Sequence, residues 1–470
     1  MNISLFFIPL VPVIWVFPVF VLLLYMNLGN DLLRKRGWGK SFEPVDGLVI
    51  IFLLACSLSF LEVDLDYRSP QNYLRYYFST YLLPVLAYFA IRLTRFTNKK
   101  AQNLRRAALA SAVVFALCCI FEYAFSHPLV PEFDNEDQWI GGMVFRAGSL
   151  AGGCIVAGEM LAFFIALTIP YVFFRYPGKK NFKISALLIL EILGLGVTFA
   201  RAGYISALAC ATLAPMFLRG RNQGRLLIVM GMLLLLIIIL PSLPLPDWLI
   251  ERITGGASTY ARVPRFWAGL YFIQDNFFRG WTTVLFGRGY IASYLYGYDY
   301  FPGLNRLGGD LEETFSGSFL SGGFHNGYLT LLADQGLVAF LCYLAIVVQV
   351  LRRMWRYSQP LRLLEKPVLK SQAVLEPVAW GLVVIVHLVT ETVHWSTNFP
   401  AMTYFFIAAA MVLNLTSSAA LEQQVCDVKA GKPMPSWGSI GARLGFQRVK
   451  PVRVAHAIDK VSYASKEPHF

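Results

Sequence analysis

Charge is scarce in this 470-residue chain: Asp, Glu, Lys and Arg together supply 15% of it, against about a quarter in an ordinary soluble domain. That deficit, beside 56% hydrophobic residues, excludes a water-soluble globular protein of usual make-up. Polar interruptions are missing over long stretches as well. Positions 226–240 read LLIVMGMLLLLIIIL, too continuously apolar for an amphipathic surface helix, and windows of about 20 mostly apolar residues recur along the chain. The longest polar segment has no cysteine. Cys56, Cys118, Cys119, Cys154, Cys210 and Cys342 lie in or beside apolar runs and Cys426 near the C-terminus, so neither a structural disulfide nor a metal cluster is expected. No repeat of fixed period is present. The first apolar run, 3–28, lacks a basic n-region and a small-residue cleavage site, which makes it a span that stays rather than a signal peptide.

What is there reads as an all-α, polytopic membrane helix bundle. Spans are expected at 3–28, 47–61, 71–92, 107–125, 150–174, 184–200, 203–218, 226–244, 324–350, 374–395 and 399–416, about eleven in all. Splitting the first at Pro9, Pro12 or Pro18 would give about twelve. The net charge of +13 could suggest nucleic acid, but its placement argues against that partner. Basic residues cluster in alternate connections: Arg34 to Lys40, Arg95 to Arg106, Lys179 to Lys183, Arg219 to Arg225, Arg352 to Lys370, and the segment after 417. The intervening connections are acidic or mixed, as with Glu62, Asp64 and Asp66. This is the positive-inside pattern, and it puts the basic set on the cytoplasmic side of the membrane. The organisation expected is N-terminal spans over 1–244, a large periplasmic loop with short surface helices over 245–323, C-terminal spans over 324–416, and a basic, disordered cytoplasmic tail over 417–470.

Of the 41 Lys and Arg residues, only Arg68, Arg75, Arg146, Arg201, Arg252, Arg262, Arg265, Arg279, Arg288 and Arg306 fall outside the cytoplasmic set, and none of these is lysine. A guanidinium presents a planar fork of donors suited to phosphate oxygens and stays charged where water is sparse, so an all-arginine outer face points to a phosphate or pyrophosphate ligand. Pairing with acids such as Glu251 or Asp275 is the competing explanation. Arg201, between two apolar runs in a sequence Thr198-Phe-Ala-Arg-Ala-Gly203, is a functional candidate on cost alone, with interfacial snorkelling as the alternative. His325 stands where the polar loop passes into an apolar helix. It can titrate near neutral pH and take a proton from a sugar hydroxyl, or simply satisfy the backbone of a helix start. His387, Glu391 and His394 share one helix face; they suit a metal by spacing, but no second cluster completes a site, which favours a polar patch facing a cavity. Glu159 and Glu191, isolated in spans, are candidate partners for an arginine.

These residues resemble the O-antigen ligase and Wzy-type polysaccharide polymerase superfamily. That family has a span ending in S/T-x-x-R-G/A, an outer loop with Arg, Trp and a G-x-G turn, then H-N-x-Y-L-x-x-L-x-x-x-G. Here the elements read Thr198 to Gly203, Arg262-Val-Pro-Arg265-Phe-Trp267 with Gly287-Arg-Gly289, and His325-Asn326-Gly-Tyr328-Leu329 with Gly336. The motifs cover about a third of the chain. Members often carry Arg four residues before the loop Trp, whereas Arg262 and Arg265 lie five and two before Trp267, leaving open which takes that role. An earlier Arg-x-x-Gly element with a Pro-Asn pair reads here as Arg146-Ala-Gly-Ser, without the Asn. The resemblance implies a GT-C-like bundle that transfers a glycan from undecaprenyl diphosphate to a sugar hydroxyl at the periplasmic face, with inversion and with no metal or other cofactor. The acceptor would be a second lipid-linked glycan for a polymerase or lipid A-core for a ligase, and a polysaccharide-export apparatus is a candidate partner; protein O-oligosaccharyl transfer shares the helix motif. It further implies His325 as base or acceptor-orienting group. Arg201, Arg265 or Arg262, and Arg288 would hold the diphosphate, with Arg146, Asn326 and Tyr328 also substrate-binding. A polytopic transporter or lipid-linked-glycan flippase is the non-enzymatic alternative, disfavoured by the lack of internal symmetry.

Overall fold

The computed structural model describes residues 22, 25–26, 42–62, 74, 77–94, 98–129, 139–140, 144–149, 153–173, 182–217, 262–289, 292–293, 324, 326–362, 367–393 and 399–416. The expected spans at 3–28 and 226–244 and the 417–470 tail lie almost wholly or wholly outside them, as do Cys426, His325 and His394. Within the described residues the elements are α1 (Pro44–Leu58), α2 (Leu83–Leu93), α3 (Asn98–Phe125), the strands β1 (Trp139–Ile140) and β2 (Val144–Phe145), α4 (Cys154–Phe173), α5 (Phe182–Thr198), α6 (Arg201–Phe217), α7 (Arg262–Arg279), α8 (Trp281–Phe286), α9 (Gly327–Arg362), α10 (Pro367–Val393) and α11 (Phe399–Leu415). Apart from the two-residue antiparallel pair of β1 and β2, every described element is helical.

Among the described residues five helical stretches are long and apolar enough to cross a membrane: Pro44–Glu62, Lys100–Phe125, Cys154–Phe173, Gly327–Ser358 and Leu375–Thr392; Phe78–Leu93 and Ala401–Leu415 are shorter apolar helices. The protein is therefore a helical membrane bundle. Its exterior agrees with that. Ile50, Ile51 and Leu54 on α1, Leu117 and Phe121 on α3, and Ile192 and Leu193 on α5 all stand exposed, a degree of apolar exposure that water would penalise and lipid does not. By contrast α4 and α10 are buried along most of their length. They pack against each other, against α6, and, for α10, against α9 and α11.

Connections turn the helices back and forth, so their ends gather into two opposite layers. One layer holds arginines paired with acids. The Arg92 guanidinium donates to both carboxylate oxygens of Asp46 (2.8 and 2.9 Å) and to Asn414 Oδ1 (2.8 Å), and the Tyr88 hydroxyl also donates to Asp46 (2.7 Å). Arg353 reaches Glu43 at 2.6 Å. Arg105, fully buried, meets Glu376 at 2.8 Å and lies 3.5 Å over the Tyr171 ring. Isolated buried charges are very costly, and paired ones much less so. These contacts join α1, α2, α9 and α11 on one side and α3, α4 and α10 on the other. The remaining layer, 26 positions earlier along α9, carries the candidate site.

Element limits differ from expectation at several helix ends, α3 beginning at Asn98 rather than 107 and α10 at Pro367 rather than 374. α1 begins at Pro44, three residues early, because proline fits the first helical turn and the Asp46 carboxylate accepts the Glu43 N–H (2.8 Å). α9 continues to Arg362, past the expected 350, and Met354, Tyr357 and Ser358 in that extension are buried.

Candidate functional site

α5 and α6 are separate helices joined by a two-residue turn. Phe199 there adopts a left-handed φ of 50°, and the Thr198 hydroxyl accepts the Ala200 N–H (3.2 Å) while donating to the Leu195 carbonyl (2.8 Å). Arg201 is consequently the first residue of α6, half-buried. The turn is seated on α4 by two glycines. A Cβ at Gly158 would lie 2.3 Å from the Ala200 Cβ, and one at Gly203 would lie 2.6 Å from the Gly158 carbonyl oxygen. Backbones at this separation exclude any larger residue.

Arg146 is brought to the same turn. The next residue, Ala147, donates its N–H to the Val197 carbonyl in the last turn of α5 (3.2 Å). The segment is held from behind by Glu122 at the end of α3, whose buried carboxylate accepts the N–H groups of Leu129 (2.8 Å), Gly148 (2.9 Å) and Ser149 (2.6 Å). Three donors on one carboxylate form a charge-assisted clamp. Sequence reading passed over Glu122, because an acid at the end of an apolar run looks like any interfacial residue until the loop that folds back on it is known.

α7 has a buried face of Arg265, Ala268, Phe272 and Asn276 and an outward face with Phe266, Trp267 and Tyr271, the three-to-four spacing of an amphipathic helix. It packs on the head of α9, with Gly269 against Leu329, and on Phe324 just before that helix, whose ring centroid lies 5.6 Å from that of Phe272. The Gly287-Arg-Gly289 turn after α8 docks where α9 breaks. Gly336 has φ 77°, and the interruption leaves carbonyls available to a neighbour: Ala333 accepts the Arg288 N–H (3.2 Å) and Asp334 the Gly289 N–H (3.0 Å). A Cβ at Gly287 would meet the Asp334 carbonyl at 2.2 Å. Asp334 further accepts the Ser293 N–H and hydroxyl (2.7 and 3.0 Å). The Arg288 side chain is 8% exposed and pairs with Asp275, with its guanidinium carbon 4.2 Å from the Phe272 ring centre; Asp275 also binds Arg279 at 2.8 Å. Pairing with Asp275, the alternative read from sequence, is thus what holds Arg288. Arg265 is buried in the first turns of α7. Arg262 begins that helix, and its side chain lies outside the described residues.

The start of α9 leans on α10. Asn326 Oδ1 accepts the Leu329 N–H (3.0 Å), an N-cap, and its amide nitrogen lies 3.5 Å from the Thr392 carbonyl. The Tyr328 hydroxyl donates to the Leu388 carbonyl (3.0 Å). Ser206 on α6 and Thr390 on α10 share a hydrogen bond (3.0 Å), which ties the helix that begins with Arg201 to the one that supports Asn326. His387 and Glu391 are buried here, 3.6 Å apart. Glu191, offered by the sequence as an arginine partner, instead accepts the Thr168 hydroxyl (3.0 Å). Among the described residues no three His, Cys, Asp or Glu side chains are grouped to hold a metal ion.

One end of the bundle thus gathers Arg146 and Arg201 on a shared turn, Arg265 and Arg288 on the α7–α8 unit, and Asn326 and Tyr328 at the head of α9. No protein-family model matches the chain and no curated protein matches it.

Proposed function

We propose that the protein is a membrane glycosyltransferase that moves a glycan from undecaprenyl diphosphate to a sugar hydroxyl, polymerising or ligating O-antigen or exopolysaccharide. The observation that carries this reading is the convergence just described: arginines remote in sequence share one end of a membrane bundle with a capped helix start that follows a histidine. By the positive-inside pattern that end faces the periplasm, the side opposite the Arg92, Arg105 and Arg353 layer.

In the reaction the acceptor hydroxyl oxygen attacks the donor sugar C1 from the face opposite the leaving group. The C1–O bond to the diphosphate breaks, configuration inverts, and the hydroxyl proton passes to a base. His325 is the candidate base or acceptor-orienting group. Arg201 and Arg146, with Arg265 or Arg262, carry the positive charge that stabilises the departing diphosphate, and such preorganised electrostatic stabilisation is commonly the largest catalytic term. Arg288 is committed to Asp275 in this arrangement, and its contribution is to fix the loop rather than to supply free charge. Apolar bundle surfaces beside this end suit the polyprenyl chain.

The test is transfer by purified protein in detergent with an undecaprenyl-diphosphate glycan and EDTA, for wild type, His325→Ala and Arg201→Ala. Product longer than the donor, absent with both variants, supports a metal-independent polymerase; transfer that requires lipid A-core supports a ligase. Wild-type activity in both variants would refute the site, and lipid-linked glycan transport without product would favour the flippase alternative.

A further inference from the structure

Glu391 and His387 lie one turn apart on α10, with His387 Nε2 3.6 Å from Glu391 Oε1 and side chains 0% and 2% exposed. The His387 ring packs between Tyr343 and Phe405, with centroids at 6.1 and 4.8 Å. Neither His387 ring nitrogen nor the Tyr343 hydroxyl makes a hydrogen bond among the described residues. Hydrophobic side chains of similar volume would fill this place at lower cost, since buried polar groups are expensive unless they are used.

The carboxylate is turned towards α9. A Cβ on residue 327 would come within 1.3 Å of Glu391 Oε2, so the acid occupies room that exists because position 327 is glycine. On either side, Asn326 approaches the Thr392 carbonyl and Tyr328 bonds to the Leu388 carbonyl. Three successive residues at the head of α9 therefore meet α10 within one turn, and the only acid in that turn sits at the positive end of the α9 dipole.

We propose that Glu391, backed by His387, is a positioning residue of the candidate site: its carboxylate clamps the first turn of α9 and holds the residues that begin that helix for the acceptor half of the reaction. The effect on turnover rests on the glycosyl-transfer reading; the clamp itself rests on the contacts. Donor diphosphate is handled by arginines on other elements, so the clamp governs turnover and not donor affinity.

Glu391→Gln keeps the shape and removes the charge, whereas Glu391→Asp keeps the charge and shortens its reach. In the transfer assay the Gln variant is expected to lower kcat about tenfold, the scale of a partly buried charge at a helix terminus, with donor KM within about twofold; the Asp variant regains part of the rate. Hydrogen exchange of a peptide spanning 326–331 should rise about tenfold in the Gln variant, with α4 unchanged. Gly327→Ala alone should loosen the same peptide, and in a Glu391→Ala background should add nothing further. Wild-type kcat and exchange in Glu391→Gln would overturn the proposal, as would raised donor KM with unchanged kcat or loosening spread over the whole bundle. Should the wild type show no transfer, exchange decides alone: loosening confined to the head of α9 sustains the clamp while the glycosyl-transfer reading falls.

Discussion

Glu122→Gln puts a number on how the Arg146 segment is held. In the wild type one carboxylate oxygen accepts the Leu129 N–H and the other those of Gly148 and Ser149, at 2.8, 2.9 and 2.6 Å. A glutamine can keep the second pair by pointing its carbonyl at them, but its NH2 then faces the Leu129 N–H, donor against donor. One charge-assisted bond of about 2 kcal/mol is lost, and the two survivors fall to neutral strength, about 0.5–1 kcal/mol weaker each. The sum, about 3–4 kcal/mol, acts on a local segment and so shows as local opening rather than global unfolding. Hydrogen exchange in a peptide containing 146–149 should accelerate by about two to three orders of magnitude, at about 1.4 kcal/mol per factor of ten. Peptides in α10 should be unaffected. If Arg146 contributes to donor binding, transfer should fall with it. Exchange within threefold of wild type at 146–149 would refute the reasoning, because it would mean that the Glu122 contacts carry no net free energy.

The glycine seat of the α5–α6 turn gives a paired expectation: Gly158→Ala should lower thermal stability by about 1–3 kcal/mol through overpacking, whereas Gly196→Ala, whose Cβ meets nothing within 4 Å, should be neutral or stabilising by up to about 1 kcal/mol. Equal melting temperatures for the two would contradict the close approach of α4 and α6. Glu376→Gln should destabilise by about 3–5 kcal/mol by stranding the buried Arg105 charge, and Arg105→Met with Glu376→Met should recover much of that; denaturation of the single and double variants in detergent decides. Asp275→Asn should weaken the hold on both Arg279 and Arg288, so a double-mutant cycle with Arg288→Met should show coupling of about 1 kcal/mol or more; a coupling of zero would mean that the pair is incidental. Gly336→Ala should displace the Gly287–Gly289 turn, since its Cβ would meet the Leu285 carbonyl at 2.4 Å in a left-handed conformation; unchanged protease sensitivity of the α7–α8 unit would argue against this.

Local chemistry made much of this protein legible from its sequence. Apolar length marks a membrane helix whatever surrounds it, and the spans expected at 47–61, 107–125, 150–174, 324–350 and 374–395 each overlap a helix long and apolar enough to cross. Charge placement was equally local. Arg92, Arg105 and Arg353, assigned to one face by alternation along the chain, stand at the opposite end from Arg146, Arg201, Arg265 and Arg288. Tertiary structure decided which of those charges has which partner. Asp275 lies thirteen residues from Arg288, Glu376 lies 271 from Arg105, and Glu122 lies 26 and 27 from the backbone groups it binds; no spacing rule connects such positions. The glycines divide the same way. Gly203 is necessary because the Gly158 backbone lies against it, and Gly327 because of an acid 64 residues later on another helix. Sequence determined what each residue can do, because charge, apolar length and backbone freedom belong to the residue. Only the packed bundle decided what each one does, because desolvation and close approach depend on atoms the chain brings together from afar.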